Sequence, residues 1–296
     1  MALVFGLAGL AGGCGRIEFD PAGARCMPLW TSGAIDARVS RLANVNSSSY
    51  DADPFVTRDG QWLYFASGRG TSGDIYRAAW SASAFDQVVP AADLNTSSGE
   101  SRVSLTADGL TAFVASSRPG AGFAGSNVWL ATRSGVTEPF AAFTAARLAS
   151  VNSDDNEYDP YVSADGLRLY FAPGRAAPQN QEIVVSSRAT ADADFGAPVL
   201  LGELSSTGDD SDPAPSADER VIVFSTTRAG PNELWYATRP APDVPFSAPR
   251  PVPGLNDPAA YQGDPYLTPD GCTLYFSSDR AGGAGSSDLW MAPFGP

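Results

Sequence analysis

The stretch that decides the fold runs from residue 53 to 69: Asp53-Pro54-Phe55, then Asp59-Gly60, then Leu63-Tyr64-Phe65, closing on Arg69. It reads as an apolar strand, a turn and a second apolar strand. The Asp-Gly pair suits a tight turn because glycine accepts positive φ. The same stretch returns four times without a gap. The copies are Arg102-Val103, Asp108-Gly109, Phe113, Arg118; Asp159-Pro160-Tyr161, Asp165-Gly166, Leu169-Tyr170-Phe171, Arg175; Asp212-Pro213, Asp218-Glu219, Val221-Ile222-Val223-Phe224, Arg228; and Asp264-Pro265-Tyr266, Asp270-Gly271, Leu274-Tyr275-Phe276, Arg280. The turn Asp recurs at 59, 108, 165, 218 and 270, and each is followed ten residues later by Arg. Repeats with a period near fifty are the signature of a propeller or a solenoid.

Outward from this stretch each copy holds two further strand-like segments. The third strands are Asp74-Ile75-Tyr76, Asn127-Val128-Trp129, Glu182-Ile183-Val184, Glu233-Leu234-Trp235 and Asp288-Leu289-Trp290. The fourth segments are Phe85 to Val89, Phe143 to Leu148, Phe195 to Leu200 and Phe246 to Val252. Four short strands make a meander that cannot bury both faces alone, so meanders pack radially. The expectation is an all-β fold: a five-bladed propeller of four-stranded antiparallel blades over residues 35–296. The last copy lacks its outer strand, and an unpaired segment, Ala37-Arg38-Val39-Ser40-Arg41-Leu42, lies before the first. That segment is expected to complete the last blade and close the ring, removing an open edge. Asn46, which follows it, matches Asn95 and Asn152, each thirteen residues before its turn Asp.

These repeats resemble the WD40-like (PD40) repeats of the TolB family of β-propellers, over about residues 35 to 295. The resemblance rests on the tandem Asp-Pro, Asp-Gly and apolar-strand motif. It implies an exported propeller that binds other macromolecules and does no chemistry.

The N-terminus fits export. Ala2 to Gly13 is an apolar run too short to span a bilayer and of the length of a secretory h-region. Ala11-Gly12-Gly13-Cys14 resembles the lipobox of bacterial lipoproteins, although Ala11 stands where Leu is usual. The expectation is a signal peptide over residues 1–13, lipid on Cys14, a linker over 14–34, and a bacterial cell-envelope location, periplasm or outer membrane, with the lipid as sole membrane contact. An ordinary cleaved signal, or an apolar tail with no role, is the alternative. Cys26 and Cys272 remain. They are a disulfide candidate, since ring closure brings their regions together in an oxidising compartment, and two buried free thiols are the alternative.

Composition excludes several functions. All 19 basic residues are Arg, there is no His, and 33 acidic residues leave a net charge of −14. Such a chain repels phosphate backbones, so nucleic acid is not an expected partner. Without His there is no Ser-His-Asp or Cys-His catalysis and no His-ligated zinc. The repeated Arg is read as architecture, its expected partner being the acid or amide that opens each third strand. A second repeated position, six before each turn Asp, holds Asp53, Arg102, Asp159, Asp212 and Asp264. It is expected at one mouth of the central channel, with Tyr50, Tyr158 and Tyr261 on the same face. Carboxylates gathered there suit a calcium ion, or simply cap Asp-Pro turns. No other cofactor is expected. The favoured function is a non-catalytic scaffold that binds an envelope protein or a glycan through its loop faces and acidic mouth. The alternative is a glycosidase using a carboxylate pair among Asp51, Asp53, Glu100 and Glu157.

Overall fold

The computed structural model describes residues 25–70, 73–174 and 180–295, and Cys14 and Arg175 lie outside them. A short helix, α1 (Met27–Ser32), and a two-residue strand, β1 (Ser40–Arg41), precede the first blade. Blade one is β2 (Asp51–Val56), β3 (Trp62–Ser67), β4 (Asp74–Ser81) and β5 (Ala84–Pro90). Blade two is β6 (Glu100–Leu105), β7 (Thr111–Ser116), β8 (Asn127–Thr132) and β9 (Ala141–Thr144). Blade three is β10 (Glu157–Val162), β11 (Arg168–Pro173), β12 (Val184–Ser187) and β13 (Val199–Leu200). Blade four is β14 (Asp210–Pro215), β15 (Val221–Thr226), β16 (Glu233–Thr238) and β17 (Arg250–Pro251). Blade five takes β18 (Gln262–Leu267), β19 (Thr273–Ser278) and β20 (Asp288–Pro293), and β1 is its outer strand. All pairings within the blades are antiparallel, and the fold is a five-bladed β-propeller.

The closing strand is shorter than the sequence pattern suggests. Only Ser40 and Arg41 pair, with Met291 and Trp290. Beyond them the Leu42 N–H donates to the Leu289 carbonyl at 3.0 Å, and Asn46 grips the same residue. The Asn46 amide accepts from the Leu289 N–H at 2.8 Å and donates to the Leu289 carbonyl at 3.0 Å. Asn95 grips Ile75, Asn152 grips Val128 and Asn256 grips Leu234 in the same two-handed way. Each amide continues its blade for one rung where the chain has already turned inward. Asn46→Ala should therefore strand the Leu289 N–H, while its carbonyl keeps the Leu42 N–H, and cost about 1–3 kcal/mol. Chemical denaturation of the variant reads this directly.

Two of the other outer strands are also short. Proline at positions 198, 249 and 251 and the exposure of Val199 and Leu200 explain why β13 and β17 have two residues each. Proline cannot donate to a ladder, and a short edge resists pairing with other chains. In blade two the aromatic that matches Phe195 and Phe246 is Phe140, not Phe143. Arg133, Arg188 and Arg239 each stand seven residues before it, lie over its ring at 4.1–4.5 Å and donate to the carbonyl of Gly109, Gly166 or Glu219.

Blade joins blade through one repeated backbone bond. The first N–H of each inner strand donates to a carbonyl just ahead of the previous blade's third strand. The pairs are Asp51 to Ser287, Glu100 to Gly73, Glu157 to Ser126, Asp210 to Gln181 and Gln262 to Asn232, at 2.8–3.0 Å. Second-strand aromatics, among them Phe65, Phe113, Phe171, Phe224 and Phe276, fill the space between sheets and are fully buried. Burying such a ring stabilises by about 1.5–3 kcal/mol.

The segment before β1 straps blade five to blade four. Cys26 and Cys272 form a disulfide across 246 residues, and the Cys26 N–H donates to the Asp270 carbonyl. Trp30 on α1 is fully buried, edge-on to Tyr236 and Phe294, and its indole N–H donates to the Gly271 carbonyl at 2.8 Å.

Candidate functional site

The turn Asp in every blade is engaged within its own turn. In blade two the Thr106 hydroxyl donates to Asp108 at 2.6 Å, and the Leu110 N–H donates to the same oxygen at 3.0 Å. Ser or Thr repeats this at 57, 163, 216 and 268. These are turn-building carboxylates.

The Arg ten residues later also builds the fold, but with a different partner from the one expected. Arg69 meets Asp51 at 2.6 Å, Arg118 meets Glu100 at 3.2 Å, and Arg228 meets Asp210 at 2.6 Å. The acid opens the first strand, not the third. Each of these guanidiniums also donates to the carbonyl of Val45, Leu94 or Leu204, tying the incoming loop to the blade. Arg280 does the same to Leu255 at 3.0 Å, with Gln262 standing where the others have an acid. Asn127 and Glu233, two of the expected partners, bond instead to loop carbonyls and to the Trp235 indole, while Asp288 accepts two loop N–H groups. Asp51 and Glu100, two carboxylates considered for chemistry, are thereby tied up. Glu157 occupies the same register, accepts from Ser153, and is pushed up to about 7 by burial.

The second repeated position forms a compact cluster on the channel axis. Asp53, Asp159, Asp212 and Asp264 each sit at φ between 51° and 58°, in a bulge of the inner strand. Asp tolerates this left-handed conformation better than most residues, and the bulge turns its carboxylate inward. Arg102 replaces Asp in blade two. Its guanidinium lies 3.2 Å from Asp53, 3.7 Å from Asp159, 3.9 Å from Asp212 and 3.6 Å from Asp264. Its side chain is 3% exposed and the four carboxylates are 8–16% exposed. Oxygens of Asp53, Asp159 and Asp264 lie within 4.8 Å of one another, so three carboxylates are close enough to share a cation. The centre between them is where the guanidinium sits.

One positive charge cannot balance four negative ones in a buried place. Burial pushes Asp53, Asp159 and Asp264 up, the latter two well above the usual range, with neighbouring aspartates adding to it and Arg102 opposing. The carboxylates in turn hold Arg102 charged against its own burial. Ser277 donates to Asp264, and the backbone N–H of Asp264 donates to Asp212 at 3.1 Å.

Tyr50, Tyr158 and Tyr261 stand round this cluster. Tyr50 and Tyr261 are exposed at 39% and 37%, and Tyr158 is half-buried. The Tyr261 hydroxyl is raised chiefly by Asp264, and those of Tyr50 and Tyr158 by burial and then by Asp53 and Asp159. A methyl group at Gly68 would meet the Tyr50 ring at 2.6 Å, and one at Gly263 would meet the Tyr261 hydroxyl at 2.0 Å. Only glycine leaves room for these side chains so close to the backbone.

Two residues further along the same strands lies an aromatic layer. Phe55, Tyr161 and Tyr266 pack with ring centroids 4.9–6.3 Å apart, while Ser104 and Ala214 occupy the matching places in blades two and four. Three large and two small side chains plug the channel. Beyond the plug, on the turn side, opens a cavity of about 480 Å³. Sequence reasoning placed the aspartates but missed this cavity, whose walls come from turns that look alike in all five copies.

No family model matches the chain, and no curated protein matches it in sequence. Among solved structures the chain is similar to a glycoside hydrolase, 13% identical over 92% of this chain and 95% of that one, with a TM-score of 0.60. It is also similar to an α-L-arabinofuranosidase from Podospora anserina solved with cellotriose (11% identical, 87% and 95% covered, TM-score 0.58). A TolB protein from Agrobacterium tumefaciens is 15% identical, with 88% and 99% covered and a TM-score of 0.48. The class is thus the five-bladed β-propeller. At such identities the first two likenesses show the fold and nothing finer.

Proposed function

We propose that the protein is a non-catalytic binding scaffold of the PD40, TolB-like kind, held at the bacterial envelope by lipid on Cys14. It takes a protein or glycan partner on its loop faces. The observation that carries this reading is Arg102 lodged among the four aspartates. A glycosidase needs two carboxyl groups about 5–10 Å apart with a sugar, and often a water, between them. Here the acids crowd round one guanidinium and are almost sealed from solvent.

The competing reading, a glycan-acting enzyme, draws on one feature: burial raises Asp159 and Asp264 well above the usual carboxylate range, the direction a general acid requires. Both readings meet in one assay. Aryl arabinofuranosides, aryl xylosides and arabinan are incubated with the protein and with Asp159→Asn. The scaffold reading expects no release of aryl alcohol or reducing ends by either. Release by the parent protein that disappears in Asp159→Asn would establish the enzyme instead.

A further inference from the structure

We infer that the turn-side cavity, on the opposite end of the channel from the aspartates, is a binding site for a neutral saccharide. This deepens the scaffold reading and rests on it. The cavity's volume, about 480 Å³, falls in the ordinary range of small-ligand sites, about 300–1,000 Å³. Its floor is the aromatic layer, and Trp62, half-buried on β3, forms one wall. Aromatic faces take the C–H faces of a sugar ring and hold it by dispersion and area burial.

The rim decides the ligand's charge. Arg58, Asp59, Asp108 and Arg133 all line the cavity, two acids and two bases, on a chain whose net charge is −14. A strongly anionic or cationic ligand finds no net field there, whereas paired hydroxyls can bridge a carboxylate and a guanidinium. The Ser and Thr hydroxyls of the turns do not compete for this role, because they donate to their own turn aspartates. Two groups inside are left for a ligand. Tyr161 is nine-tenths buried, lines the cavity, and its hydroxyl bonds to no described residue. Gln61 spends its amide N–H on the Asp59 carbonyl at 3.3 Å, which leaves its side-chain carbonyl as an acceptor. The hydroxyl is open to water, and a ligand hydroxyl can take that water's place.

The site lies off axis, toward blades one and two, because the β8–β9 loop brings Arg133 and the exposed Val136 over the opening. No other blade contributes such a wall to it. This break in the fivefold pattern is what distinguishes the cavity from the architecture around it.

The test is calorimetric titration with cellobiose, maltose, chitobiose and arabinobiose, with lysine-containing and glutamate-containing tripeptides as charged controls. At least one disaccharide should bind and neither tripeptide should. Trp62→Ala should weaken that binding about ten-fold or more. Tyr161→Phe, which keeps the ring in the plug, should weaken it several-fold while leaving the melting temperature within a few degrees. Val199→Ser, on the exposed outer edge of blade three, should leave it unchanged. The inference is overturned if no disaccharide binds, if a tripeptide binds instead, or if binding survives Trp62→Ala and is lost in Tyr261→Ala. Reducing ends are measured in the same samples. Their appearance would end the scaffold reading, whereas absence of binding ends this inference alone.

Discussion

Arg102→Met should cost about 3–5 kcal/mol of folding free energy near neutral pH, because it removes the one cation from a buried group of four carboxylates. Methionine fills much of the same volume, so lost packing contributes little. The variant can recover part of the loss by taking up a proton. If one carboxyl stays ionised in the parent and becomes protonated in the variant, the deficit shrinks by about 1.4 kcal/mol for each pH unit of acidification. The parent follows a related rule. Asp53, Asp159 and Asp264 have folded-state pKa values raised above the unfolded ones. Their contribution is therefore fully present below the ordinary carboxylate pKa of about 4 and is lost as pH rises through the folded values. Denaturant titrations from about pH 5 to pH 8 should show the variant converging on the parent at the acid end. A deficit of the same size at every pH would mean that the aspartates carry no extra protons.

The second large effect is expected at the strap. Cys26→Ser, or reduction of the bond, should cost about 2–5 kcal/mol, toward the upper end because the bridge spans 246 residues. Chain entropy of the unfolded state supplies most of it in the loop-closure view. The native side adds the docking of α1, since Trp30 seats against Tyr236 and Phe294 from a segment the bridge pins. The melting temperature should fall on the order of 5–15 °C. Trp30→Ala separates the two contributions: it should cost about 3–5 kcal/mol with the disulfide intact. If reduction leaves the melting temperature unmoved, the bridge is an ornament on a ring already held by Asn46 and the blade contacts.

How far the sequence carries the reader depends on the kind of regularity involved. The blades were legible because the Asp-Gly turns and apolar second strands recur with the spacing of structure itself. The aspartates at 53, 159, 212 and 264 were legible for the same reason, and so was the exception at Arg102. The partner of the repeated Arg was not. Both candidate acids recur at constant offsets, and only the pleat decides that the guanidinium of Arg118 reaches Glu100 and leaves Asn127 to the loop carbonyls. The Arg-to-Phe spacing of seven at Arg133, Arg188 and Arg239 was present in the chain but hidden by Phe143, a nearer-looking match that in fact lies under Arg118 at 3.8 Å. The role of Asn46 needed three-dimensional partners, because an amide that grips both sides of one peptide looks in sequence like any loop asparagine. The turn-side cavity is the least legible feature of all. It arises from how one loop leans, and no periodicity encodes that.

A ring whose latch joins β1 to β20 cannot close until β20 has been made. When four sheets have been made, the fifth still waits for β20, and β1, made first, has nowhere to dock. β1 must therefore remain unpaired until β20 arrives, and removing either strand would open the same gap. For this molecule, birth order and assembly order run in opposite senses at the seam.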